Sequence, residues 1–201
     1  MNAQELNNIF SNNTDREIFI GDYASFLEDG FLPFYQQFIQ ENYSNSTAAL
    51  LIQVMDLSVN IDYFDEKHLL HYWSLYGSKK FEYRLTFLDY LYFFNAEISA
   101  ELYDTINTKL LATARNIEIC FQACINLCVK DDQYVEQLLV LLRVAIEVSN
   151  HYIFYRALSF MEAQQNNRIG SEISAGMRAL LDKYPDRFPA GQREDFLAKL
   201  T

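Results

Sequence analysis

The 201-residue chain holds only six glycines and three prolines. Turn-dense β architectures consume both residue types. Their scarcity argues against a sandwich or barrel, and the long stretches free of either favour helices. Cysteine is equally sparse. Cys120, Cys124 and Cys128 stand at i, i+4 and i+8 on one helical face, and an odd number in one helix is no disulfide framework. A metal site there would want C-x-x-C pairs or added histidines, and no histidine lies near in sequence. The row therefore reads as small apolar packing surface in a reducing, cytoplasmic setting. No apolar run approaches the roughly 18 residues of a membrane span, and the N-terminus lacks the basic-then-apolar pattern of a signal peptide. No membrane association is expected.

Catalytic signatures are missing too. The chain contains no G-x-S-x-G, no P-loop, no G-x-G-x-x-G, no H-E-x-x-H and no Asp-rich metal box. The cysteines share one face expected to be buried, so they pair with no histidine as nucleophiles. An all-α enzyme can assemble a site from scattered residues, so catalysis stays open, but no cofactor is implied.

Bases are the last scarcity, and a local one. The net charge is −11, and between Asp15 and Glu66 ten carboxylates face one base, Arg16. Residues 1–150 hold 21 acidic and 9 basic residues, whereas 151–201 hold 6 and 7. A field of that sign repels phosphate backbones, which excludes direct nucleic-acid binding through this half, and it attracts a basic protein. The bland alternative is that the acidity only keeps an apolar-rich chain in solution.

What the chain does have is core material: half its residues are hydrophobic and 15% aromatic, in a length that can bury about 70% of the surface of the unfolded chain. The stretch 134–148 is the most apolar. At 100° per residue its charges, Glu136, Arg143 and Glu147, fall within about 40° of one another. The rest of the circumference is apolar except for Gln137. Such a helix must be surrounded by others, and its charged stripe is a surface ion-pair row if it faces solvent. Around it the pattern predicts a single all-α domain over residues 1–201, with about ten helices in antiparallel pairs and 1–13 as a loose lead-in. A stacked-hairpin, solenoid-like arrangement is the open alternative.

The expected helices follow local signals. Thr14 to Glu17 forms a capping box for a first helix ending near Asp29, and Pro33 opens a second through about Tyr43. A third runs from 47 to about Val59, and Asp62 caps a fourth reaching Tyr76. A fifth, 79–94, is the aromatic centre, with stripes Tyr83/Phe87/Tyr90/Phe94 and Phe81/Leu85/Leu88/Tyr92. Further helices are expected over 100–114, 116–129 (capped onward by Asp131 and Asp132), 134–148, 151–165, 171–184 and 190–200, with 166–170 as a loop.

Two constellations stand out. Asp65, His68 and His71 lie at successive i+3 steps, and Glu66, His68 and His71 could contribute to a metal site if other helices supplied carboxylates. Bundle sites of that kind repeat the motif, and only a loose Glu147…His151 is found elsewhere. The alternative is a pair of core-boundary histidines. The second constellation is acidic and aromatic. Carboxylates such as Asp22, Glu28 and Asp29 are interleaved with rings, and on helix 62–76 Asp62, Asp65 and Glu66 flank Tyr72, Trp73 and Tyr76. Aromatic anchors ringed by one sign of charge suit protein recognition, though an aromatic core behind a solvated acidic face has the same pattern. The expected function is a non-enzymatic binding protein that docks a basic protein, such as an inhibitor or immunity protein of a basic nuclease toxin. An all-α metal- or cofactor-dependent enzyme and a helical scaffold are the alternatives. The sequence carries no signature of an oligomeric state.

Overall fold

A computed structural model describes residues 55–59, 61–75, 81–189 and 191–200, together with Asn8, Gln36, Ile39 and Gln40; for 81–83 it describes the backbone alone. Among these residues the protein is all-α, and its helices gather into two compact units, Met1–Ser99 and Ala100–Thr201. The expectation was a single domain spanning both. The first three helices read from the sequence lie largely outside the described residues.

In the first unit, residues 55–59 are helical, α1 spans Glu66–Leu75 and α2 spans Phe81–Phe93. α1 starts later than expected because its cap is Asp65, not Asp62. The Lys67 N–H donates to Asp65 Oδ1 at 2.8 Å, which satisfies an otherwise unpaired backbone donor. Asp62 instead sits in the preceding turn with φ 53°, a left-handed conformation that Asp tolerates better than most residues. Leu69 and Tyr72 of α1 are buried, as are Phe87, Leu88, Tyr90, Leu91 and Phe94 from α2 and its end. The interior is built of rings. Tyr72 meets Tyr90 edge-on at 5.7 Å, Tyr90 meets Phe94 at 4.8 Å, Phe64 lies 5.4 Å from Phe94, and Trp73 stacks on Phe87 at 6.0 Å. Each buried ring contributes about 1.5–3 kcal/mol by leaving water, and edge-on pairs add to that.

The second unit comprises α3 (Ala100–Thr113), α4 (Ile117–Lys130), α5 (Val135–Glu147), α6 (His151–Ala163), α7 (Arg168–Lys183) and α8 (Gln192–Lys199). Short 3₁₀ turns, Asp132–Tyr134 and Pro185–Arg187, precede α5 and follow α7. α5 packs against α4, α6 and α7, so the most apolar stretch of the chain is the centre of this unit. Val135, Leu138, Leu142, Ala145 and Ile146 are buried, while Glu136, Val140, Arg143 and Glu147 form its exposed stripe.

Asparagines start three of these helices. The side chains of Asn116, Asn150 and Asn167 accept from the N–H groups of Glu118, Ile153 and Gly170. The Asn167 cap moves the start of α7 ahead of the expected 171 and places Gly170 inside the helix. Gly170 is there for space: a Cβ would lie 2.3 Å from the Gln164 carbonyl oxygen.

Candidate functional site

The acidic, aromatic constellation falls in the first unit. Asp22, Glu28, Asp29 and Tyr76 lie outside the described residues. Asp62 and Glu66 are exposed, and Asp65 is half-buried. Asp65 is occupied structurally: besides capping α1, its Oδ2 lies 3.9 Å from His68 Nε2, and its backbone carbonyl accepts from the His68 N–H at 3.0 Å. The aromatic half of the expected surface is turned inward. Tyr72 is 0% exposed, and Trp73 is half-buried against Phe87. Both rings pack toward α2, Tyr72 against Tyr90 and Trp73 against Phe87. The outer row of α1 is Glu66, Leu70 and Ser74, with Leu70 at 47% exposure.

A cavity of about 380 Å³ opens in the same unit, where residues 55–59 lie along α2. Asp56 and Val59 line it from one side, and Thr86, Asp89, Tyr90, Tyr92 and Phe93 from the other. Thr86, Asp89 and Phe93 are spaced three and four residues apart, which puts them on one helical face. Phe93 stands at the rim at 47% exposure, its ring edge-on to Phe94 at 4.9 Å. Asp56 and Asp89 are both half-buried. Burial first, and the neighbouring Asp89 charge second, push Asp56 up to about 6. The expected site omitted Asp56, Asp89, Tyr92, Phe93 and Leu70. The signal for the two carboxylates was present: each is a lone charge in an apolar run, Val-Met-Asp56-Leu and Phe-Leu-Asp89-Tyr-Leu. A charge in such a setting is either exposed by the helix turn or held where its burial matters.

The histidine cluster resolves toward the core. His68 is 1% exposed, and its ring lies 5.9 Å from Tyr63 and 6.5 Å from Tyr72. Burial pushes its pKa down against the opposing pull of Asp65, so the ring is neutral at pH 7. His71 is half-buried against Tyr72, and Glu66 is exposed. Among the described residues no three His, Cys, Asp or Glu side chains are grouped as a metal ion requires. The structure gives Glu66, His68 and His71 no such arrangement.

The second unit holds its polar groups differently. Asn107, Gln122 and Asn126 are buried. Gln122 Nε2 donates to Asn126 Oδ1 at 3.1 Å, Asn126 Nδ2 donates to Asn107 Oδ1 at 2.9 Å, and Asn107 Nδ2 donates to the Tyr103 carbonyl at 2.9 Å. At the outer end Arg156 donates to Gln122 Oε1 and to the Tyr152 hydroxyl. This chain of amides ties α3, α4 and α6 together. A cavity of about 470 Å³ near α7 and α8 contains Arg178 and Ser174, but both already donate to the Leu200 carbonyl. Cys124 and Cys128 are buried and Cys120 half-buried, all as free thiols. The Cys128 thiol and burial push Cys124 up, and burial pushes Cys120 up, so neither is an activated nucleophile.

No helix among the described residues is long and apolar enough to cross a membrane. Compared with known protein families, curated proteins and solved structures, the chain matches none.

Proposed function

We propose that the protein is a non-enzymatic binding protein of the cytoplasm that docks a basic protein through its acidic first unit. The most concrete form is an inhibitor or immunity protein that covers a basic toxin such as a nuclease. The observation that carries the reading is the run of ten carboxylates against one base between Asp15 and Glu66. Among its described members, Asp62 and Glu66 are exposed, and Glu66 shares a helix face with exposed Leu70. Such a field steers a basic partner, and the apolar side chains at the surface supply what the partner desolvates. The free thiols of α4 suit a reducing compartment.

The test is co-purification from the native source at low and then high salt, followed by charge reversal. A basic protein recovered in stoichiometric amount and weakened by salt supports the reading and names the partner. The variant Asp62→Lys/Asp65→Lys/Glu66→Lys should then associate about ten-fold or more slowly at low salt and lose most of its salt dependence. Unchanged association would remove this patch from the interface.

A further inference from the structure

We propose that His68 is an acid-sensitive latch: when its ring takes a proton, α1 loosens from α2, and the docking face that α1 carries goes with it. The last clause rests on the proposed function; the latch itself does not. His68 is 1% exposed and shares the buried face of α1 with Leu69 and Tyr72. Its ring lies 5.9 Å from Tyr63 and 6.5 Å from Tyr72, and Tyr72 in turn meets Tyr90 of α2. An imidazolium in that setting exchanges water for ring surface, which costs free energy unless an opposite charge offsets it.

Asp65 offsets only part of that cost. Its Oδ2 is 3.9 Å from His68 Nε2, beyond hydrogen-bonding reach, and its Oδ1 is committed to the Lys67 N–H at the cap. Lys67 and His71, on the same helix, oppose a further positive charge. From α2 comes Tyr90, whose hydroxyl burial pushes up, so it stays neutral. Burial outweighs the pull of Asp65, and the ring holds its proton less firmly inside the fold than in water. Opening α1 returns the ring to water. Open forms therefore gain as pH falls below 6.5, by at most about ten-fold per pH unit for one proton. α1 is suited to be the moving part. At ten residues it is shorter than the roughly 12–15 at which a helix holds by itself in water, so it depends on its packing against α2. Glu66 and Leu70 ride on its outer row.

The test is amide hydrogen exchange of the full chain from about pH 7 to about pH 5, corrected for its intrinsic pH dependence. Trp73, the sole tryptophan, lies on Phe87, so its emission during urea unfolding reports the same packing. Asp56 titrates in the opposite sense in this unit, and the series is therefore repeated in Asp56→Asn. Exchange at residues 70–75 of α1 should speed up by several-fold to about ten-fold per pH unit below 6.5, while residues 138–146 of α5 hold steady. His68→Gln should flatten that slope. Asp65→Asn keeps a capping side chain but removes the carboxylate, so the rise should continue to lower pH. No response of α1 to pH, an equal rise in both units, or a slope that survives His68→Gln overturns the latch. Should His68→Gln not fold, an Asp65→Asn profile superimposable on the parent's overturns it instead. The two readings fail separately. A latch seen in a chain with no basic partner removes the docking function alone, and a partner whose affinity ignores the closed fraction removes the link between them.

Discussion

The two units solve the problem of polar groups in opposite ways. Residues 1–99 carry 14 acidic and 5 basic residues, and 100–201 carry 13 and 11. In the second unit the described charges and amides are turned on one another. Arg168 pairs with Glu172 and Asp132, Arg193 with Asp182, and a buried row of amides runs from Arg156 to Asn107. In the first unit the balance is one-sided, and the carboxylates Asp56 and Asp89 stand near each other, where each raises the cost of the other's charge. Groups turned on one another serve structure, whereas Asp56 is a carboxylate that is ionised only at a cost beside a cavity.

The largest effect that would break this contrast lies in the amide row. Asn126→Leu leaves the Asn107 Oδ1 and Gln122 Nε2 atoms without the partners they now have. Orphaning two buried polar atoms costs about 3 kcal/mol, readable by urea denaturation. Asn107→Leu alone should also destabilise, and the double variant should cost clearly less than the two singles together, because it removes both ends of one hydrogen bond. Additive losses would mean that the row is a set of independent contacts and not a network.

The next effect has the opposite sign and belongs to the first unit. Asp56 has an ordinary value of 3.8 and is pushed to about 6. The folded chain therefore keeps this proton longer than the unfolded chain does. Stability is full below about 4, falls as pH rises to about 6, and stays lower above. Asp56→Asn removes that loss. It should raise stability at pH 7 by about 2 kcal/mol, the group being partly hydrated, and by almost nothing near pH ~3, where folded and unfolded chains both hold the proton. His68 works in the other direction: its depressed pKa makes stability fall as pH drops below the usual histidine range. The Asn variant should expose that acid limb alone. A variant no more stable than the parent at pH 7 would place Asp56 in open water and end the distinction between the units at this residue.

Much of the second unit could be read from local pattern. Residues 116–129 and 134–148 were expected as helices, and the structure has Ile117–Lys130 and Val135–Glu147. Apolar periodicity without glycine or proline is a local property, and so is a nearby cap. What failed needed information from elsewhere in the chain. Gly170 looked like a breaker, but its role is close packing against Gln164. Asp62 and Asp65 are both acceptable caps on paper, and the backbone of the turn decides between them. The stripe holding Leu69, Tyr72 and Trp73 could be recognised as a face, but periodicity does not say whether water or α2 covers it. The Asn107–Asn126 bond joins residues 19 apart on two helices, beyond the reach of any single-helix pattern. The cavity carboxylates failed for the same reason: Asp56 and Asp89 meet only once their segments pack.

The smallest effect sharpens the comparison at its surface. Leu70 in the first unit and Tyr155 in the second are almost equally exposed, at 47% and 46%. Their surroundings differ. The Tyr155 ring lies 4.8 Å from buried Phe196, and its hydroxyl accepts from Gln192 Nε2 at 3.0 Å, so it pins α8 onto α6. Tyr155→Ser should cost about 1.5 kcal/mol through lost ring contact and the hydrogen bond. Leu70→Gln replaces one good helix former by another on an outward row and should change stability by no more than about 0.5 kcal/mol. Its effect should be on the affinity for the basic partner, where an apolar group buried at the interface is worth about 1 kcal/mol. If Leu70→Gln instead destabilises as much as Tyr155→Ser, Leu70 is structural. The exposed side of α1 would then offer a partner charge without an apolar foothold.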